Sequence, residues 1–285
     1  MTGLLTALRS ELFLDRHNLT SRTVVLLPAV FVFLQGLLLR LGSAGAEARD
    51  NLLGESSFDA AAAVSGYGYF VDGLNTGLTI LGLLLVAVAA YSFAAERDIG
   101  SVRHLLVRRC SRSSIVLAKL INLLMLGLLA VLLVCASSYV VSWMFWEFGP
   151  VVEDGFELIS EGEIRLEIHQ GLILAVLPLP AAIALGLLVS VSTRSATTAV
   201  VSALGITLML DVFKNLLGDY AWYIYASHQP SLLDASYLGD VARIVRGYSD
   251  VLIEEQILQL NNWVPLPTML LFAGLSLFIV NKRRL

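Results

Sequence analysis

The stretch ERDIGSVRHLLVRRCSR, from Glu96 to Arg112, separates two long apolar runs of the sequence. It holds five arginines and two acids within seventeen residues. Positive charge is retained on the cytoplasmic side when a chain threads through a membrane. The stretch is therefore expected to be a short cytoplasmic loop between two membrane-spanning helices.

Composition supports a membrane protein. Of the 285 residues, 57% are hydrophobic and only 15% are charged, which is too apolar for a soluble domain of this size. A bilayer core about 30 Å thick needs about 20 apolar residues per helix. Six runs are candidate spans: Val24–Leu41, Gly73–Ala95, Ile115–Phe145, Gly171–Ser192, Ala196–Phe213 and Val264–Val280.

The distribution of charge predicts the orientation of these spans. With the N-terminus inside, the inner segments hold 13 of the 19 cations, while 19 of the 23 acids fall outside or at the outer ends. We therefore expect an all-α polytopic protein of one transmembrane domain, residues 1–285, with both termini cytoplasmic. The expected location is the plasma membrane, such as a bacterial inner membrane.

Three segments outside the spans carry structural predictions. Residues 3–16 place leucines on one helical face, which favours an amphipathic helix at the inner surface, within an interfacial region 1–22; the alternative is a plain extension of the first span. Residues 156–168 alternate apolar and polar residues, which predicts a β-hairpin turning at 160–162. Residues 214–263 are expected to be extracytoplasmic, with helices before the sixth span.

The opening stretch resembles the signature of ABC-2 type transporter permeases. That signature reads as Glu, three residues, Gly-Thr-Leu, a Leu-Leu pair, Pro-Val-Ser-Arg and then Gly-Lys in the next helix. Ser101 and Val102 replace Thr and Leu conservatively, whereas Arg109 stands in place of Pro and Ala118 in place of Gly. The residues that match in place are Glu96, Gly100, Leu105, Leu106, Ser111, Arg112 and Lys119.

The resemblance implies a permease subunit of an ATP-driven exporter. The loop 96–114 would then form a coupling helix that docks on a separate ATPase subunit. Leu105 and Leu106 would fill an apolar groove on that partner, while Arg108 and Arg109, with other loop arginines, would pair with its acids or with anionic lipid headgroups. The alternative is that these basic residues only set the orientation.

The resemblance also fixes which components must come from elsewhere. The sequence has no G-x-x-x-x-G-K-[ST] phosphate loop, so the chain is expected to be no enzyme by itself. ATP and Mg would bind the partner ATPase, and a second permease subunit, identical or homologous, would complete the translocation path. The acidic outer loops leave open a contact with an extracytoplasmic partner, although solvated loops are the ordinary explanation.

Other functions are weighed against this one. VSGYG, Val64 to Gly68, resembles the filter of a potassium channel, but a glycine-rich helix start explains it better. The four histidines are scattered, and no protease or esterase motif occurs, so neither a catalytic nor a metal site is predicted. An ion channel, an ATP-independent transporter and a membrane anchor of a surface assembly remain alternatives. The substrate is undetermined, and nucleic acid is not expected as a partner.

Overall fold

The computed structural model describes residues 3–53, 65–99, 111–153, 156–231, 236–248 and 255–282. Within these ranges the chain is almost entirely helical. The α-helices are α1 (Leu4–His17), α2 (Leu19–Leu53), α3 (Gly66–Ile99), α4 (Arg112–Phe145), α5 (Glu161–Val176), α6 (Leu179–Ser192), α7 (Ala196–Phe213), α8 (Tyr237–Ile244), α9 (Glu255–Trp263) and α10 (Pro265–Lys282).

Among the described residues, six helical stretches are long and apolar enough to cross a membrane. Each contains one of the six spans predicted from sequence, and α5 and α6 together form the fourth, around Pro178. The stretches are Leu19–Gly45, Gly66–Asp98, Arg112–Phe145, Glu161–Ser192, Ala196–Phe213 and Glu255–Lys282.

The core lies where α3 packs against α4 and α6. Leu74, Leu78, Leu81 and Leu85 follow each other at helical spacing on α3, and all four side chains are completely buried. Close approach of the helices depends on Gly77, where an added Cβ would lie 2.5 Å from Val134 Cγ1 of α4. A small residue is therefore needed at this position of α3, because small residues let helix backbones approach each other in membranes.

The first turn of α3 accounts for the filter-like sequence. The helix begins at Gly66, and the amide of Gly68 donates to the carbonyl oxygen of Ser65 at 2.8 Å. A channel filter requires extended backbone whose carbonyl groups face an ion. In the described part of this stretch the carbonyl groups belong to a helix instead.

The hairpin predicted at 156–168 is wrong in its second half. Phe156–Ile159 is a strand, but it pairs antiparallel with Val151–Glu153. Residues from Glu161 onward are helical because Ser160 caps α5: its Oγ accepts from the amide of Glu163, whose carboxylate accepts from the amide of Ser160. This reciprocal pair is the capping box of a helix start.

The described part of the segment between α7 and α10 reaches from the Gly66 end of α3 to the middle of the bundle, where Tyr225 packs with Val86 and Ala90. Two 3₁₀ helices, Lys214–Tyr223 and Tyr225–Ser227, precede α8. Arg246, just after α8, forms an ion pair with Asp72 of α3. The helices expected within 214–263 are observed as α8, Tyr237–Ile244, and α9, Glu255–Trp263.

Candidate functional site

Three charged side chains meet at the opposite end of α3. Lys119 of α4 is 3% exposed, and its Nζ lies 2.6 Å from Glu96 Oε1 of α3 and 2.9 Å from Glu11 Oε1 of α1. We call Glu11, Glu96 and Lys119 the charge cluster. Glu96 lies near the end of α3, Lys119 lies in the second turn of α4, and Glu11 lies in the second half of α1. The cluster therefore links α3 and α4, the two helices that flank residues 100–110, to each other and to α1.

Burial explains why the partners must be present together. A lysine on an apolar span needs a counter-charge, because an isolated buried ammonium group is strongly disfavoured. The cluster supplies two carboxylates for one ammonium group. Burial raises the pKa of Glu11 above its ordinary value of about 4.5, although the positive charge of Lys119 opposes that rise.

A second polar contact lies one helical turn away and joins the same helices. Asp15 of α1 accepts a hydrogen bond from the Asn122 amide of α4, and its other oxygen accepts from Ser21 Oγ of α2 at 2.7 Å. Asp15 follows Glu11 by four residues, and Asn122 follows Lys119 by three, so each pair shares a helix face. The face of α1 that contacts the bundle is therefore acidic.

This contact corrects the predicted surface of α1. The helix is present, but Leu5 is 76% exposed, while Ala7 and Glu11 are buried against the bundle. The ion pair with Lys119 fixes the rotation of the helix so that the leucines are divided: Leu5 faces outward, whereas Leu8 packs against the core and Leu12 lines a groove with α4. The exposed leucine side chains remain suited to a membrane surface.

Other helix ends are fixed beside the charge cluster. Asp98, in the last turn of α3, accepts a hydrogen bond from the amide of Ala196 at 2.7 Å, which satisfies a free amide at the start of α7. Ser113 of α4 donates to Asn281 of α10 at 3.1 Å. Together with the contacts of α1, these bonds gather α1, α3, α4, α7 and α10 at one end of the bundle.

Four of the ten residues predicted for ATPase coupling fall within the described residues. Glu96 and Lys119 are brought together, Ser111 caps α4 by accepting from the amide of Ser114 at 3.2 Å, and Arg112 is the first residue of α4. The predicted site residues that lie outside the described residues are Gly100, Ser101, Leu105, Leu106, Arg108 and Arg109.

Sequence reasoning missed the remaining members of this site. The leucine pattern of residues 3–16 places Glu11 and Asp15 on the polar face of a surface helix, and Asn122 lies within the predicted span Ile115–Phe145. The available signal was Lys119 itself, since a charged residue two turns into an apolar helix calls for an acidic partner. Which acid on which helix provides it depends on tertiary packing.

A cavity of about 450 Å³ lies beside the charge cluster. Its lining includes Glu11, Glu96 and Lys119, with Tyr91 and Ser92 of α3 on the wall. The cavity has both charged and apolar lining and lies at the end of the bundle where the helices are tied together.

The family model described as ABC-2 family transporter protein matches residues 16–277. The chain belongs to the ABC-2 transporter family. The match covers all six candidate spans almost completely, and it includes Glu96 and Lys119 but not Glu11. No curated protein matches the sequence.

Membership in the ABC-2 family identifies the general role of the chain. It is a multi-pass membrane protein and the permease of an ABC transporter. Permeases of this family generally partner with a separate ABC ATPase subunit, and they lack an ATPase motif of their own, as this sequence does. The resemblance found in residues 96–119 is thereby confirmed at the level of the family.

Proposed function

We propose that the chain is the permease subunit of an ATP-driven ABC exporter, that two permease subunits form the translocation path, and that residues 96–114 dock on the ATPase. The charge cluster is the observation that supports this proposal best. It joins the two ends of the proposed docking loop, since Glu96 is the first residue of the loop and Lys119 lies just beyond its last residue. A displacement of the loop would reach α3 and α4 together.

The mechanism follows from how the helices are tied. ATP and Mg bind the ATPase dimer, and its closure pushes on the loop of each permease subunit. Because Lys119 pairs with both Glu96 and Glu11, α1 moves with α3 and α4 as one body. Asp98 extends the movement to the start of α7 through the amide of Ala196.

The same reasoning assigns the two ends of the molecule. The end with the charge cluster would face the cytoplasm of a bacterial cell, and the end with α8 would face outward, where it could meet an extracytoplasmic partner. The basic residues of 97–112 favour this orientation under the positive-inside rule. Export then proceeds from the cavity beside the charge cluster toward the α8 end.

The experiment that tests the docking role changes two apolar side chains of the loop. In Leu105→Asp/Leu106→Asp we expect loss of ATPase co-purification and of ATP-dependent transport, with membrane insertion unchanged. Leu158→Asp is the matched control, since Leu158 is 51% exposed on the strand Phe156–Ile159 at the other end of the molecule.

Two results would contradict the proposal. If the double variant binds the ATPase as well as the wild type does, the loop is not the docking element. If the purified wild-type chain transports or conducts ions without any ATPase, the chain works as a channel or an ATP-independent transporter.

A further inference from the structure

A groove separate from the charge cluster opens between α1, α2 and α4. Its volume is about 680 Å³, a size ordinary for a site that holds a small molecule. One part of the groove is lined by aliphatic side chains and the other by polar and charged ones. The lining residues are Leu12, Asp15, Arg16, Ser21, Arg22, Val25, Leu26, Asn122, Met125, Leu126, Leu128, Leu129 and Leu132.

The apolar part has the length of one membrane leaflet. The α4 wall runs from Asn122 to Leu132, which is about 15 Å at the rise of an α-helix. Half of a hydrocarbon core about 30 Å thick is also about 15 Å. Leu128, Leu129 and Leu132 are 55–60% exposed, so this wall is open to an acyl chain lying along it.

The polar end carries two guanidinium groups. Arg22 donates to the backbone carbonyl oxygen of Arg16 at 3.0 Å, which holds the Arg22 guanidinium group beside the backbone of Arg16. Among the described residues, neither guanidinium group forms an ion pair with a carboxylate. The one acid in the lining, Asp15, already accepts from Ser21 and Asn122, which leaves the arginines for an outside anion.

We propose that this groove binds one phospholipid with an anionic headgroup from the leaflet on the α1 side. Arg16 and Arg22 hold the phosphate, because guanidinium groups match phosphate geometry. An acyl chain lies against Leu128, Leu129 and Leu132. A lipid fits better than a second protein chain, since the groove combines a charged end with an apolar wall of leaflet length.

The site does not depend on the ATPase or on the exported substrate. It adds a membrane component to the contact between α1 and α4, which the charge cluster and the hydrogen bond from Asn122 to Asp15 also hold. The lipid would bridge the two helices on the side away from Glu96. Anionic lipids are enriched in the cytoplasmic leaflet, which is where the proposed orientation places this groove.

Native mass spectrometry of the full-length chain in mild detergent tests the proposal. Phosphatidylglycerol and phosphatidylethanolamine with the same acyl chains are added separately, and the dissociation constant of the first bound lipid is measured. We expect the wild type to prefer phosphatidylglycerol. Arg16→Gln/Arg22→Gln should weaken its binding by about 30-fold, since each basic side chain near an anionic headgroup contributes a factor of about five.

Three further variants separate the apolar wall from a general effect of mutation. Leu129→Trp fills the groove and should abolish the first binding event for both lipids. Arg9→Gln removes an exposed arginine of α1 that does not line the groove, and Val201→Trp enlarges an exposed side chain of α7. Both controls should bind phosphatidylglycerol as the wild type does.

Three results would overturn the proposal. The first is an unchanged preference for phosphatidylglycerol in the double arginine variant, and the second is unchanged binding in Leu129→Trp. The third is displacement of the lipid by glycerol 3-phosphate at a similar concentration, which would show that a soluble phosphate compound occupies the polar end. Because Arg16 and Arg22 are exposed, their replacement leaves the fold intact and each result can be interpreted.

Discussion

Replacing Lys119 by methionine removes the positive charge from the charge cluster while keeping a side chain of similar length. The ammonium group is 3% exposed and lies within 3 Å of two carboxylates. Without it, the buried Glu11 and the half-buried Glu96 lose the ammonium group that both carboxylates contact. Breaking a buried pair by removing one partner costs about 3–5 kcal/mol, so we expect a large decrease in the unfolding temperature in detergent.

The same variant should acquire a characteristic pH dependence. Loss of Lys119 removes the influence that opposes the raised pKa of Glu11, so the folded state of the variant binds a proton more strongly than the unfolded chain. Stability is then highest below the unfolded pKa of about 4.5 and decreases as pH rises through the higher folded value. Unfolding temperatures measured from pH 5 to pH 8 should fall more steeply in Lys119→Met than in the wild type.

Two controls distinguish a buried charge from a general effect of mutation. Lys282→Met removes an exposed lysine at the end of α10 and should change stability little. The triple variant Glu11→Gln/Glu96→Gln/Lys119→Met has no charge left in the cluster and should recover part of the lost stability. If Lys119→Met is as stable as the wild type, or if the triple variant is less stable than Lys119→Met, the cluster does not act as a buried ion network.

Three further outcomes follow from the rest of the fold. Gly77→Val should destabilise the bundle by about 1–3 kcal/mol, because the new side chain overlaps Val134. Gly205→Val adds a side chain to open space and should leave the stability unchanged. Unfolding temperatures of the two variants test this difference. Ser160→Ala removes the cap of α5 and should cost about 1 kcal/mol in the same assay. Burial lowers the pKa of His228. Stability should therefore decrease as pH falls below about 6.5, because the unfolded chain binds the proton before the folded protein does. The variant His228→Gln should show a smaller decrease, and an unchanged pH profile would exclude the histidine as its cause.

The spans could be predicted from sequence because the bilayer imposes a length and a composition on each of them. A run such as Ala196–Phe213 is apolar along its whole length, and the structure has a helix with the same bounds. The tight connection before it was also predictable, since only Thr193, Arg194 and Ser195 separate it from α6. These features depend on local composition alone.

The parts that sequence did not predict depend on competition or on distant contacts. Alternation in Phe156–Ile168 favoured two strands, but the local hydrogen bonds of Ser160 and Glu163 favour a helix start and prevail. The rotation of α1 follows from an ion pair between residues 108 positions apart, Glu11 and Lys119. No pattern within α1 distinguishes a face that meets a lysine from one that meets water.

The burial of α6 has a consequence for how the protein is made. Every residue of Leu179–Ser192 is buried or half-buried, between α3 on one side and α10 and α7 on the others. The ribosome completes α6 before α7 and α10 exist, so during synthesis its uncovered sides must face lipid. Apart from Ser190 and Ser192, its side chains are apolar on every face. The helix is therefore stable in lipid during synthesis and in contact with protein after assembly. Insertion of α10 therefore displaces lipid from α6.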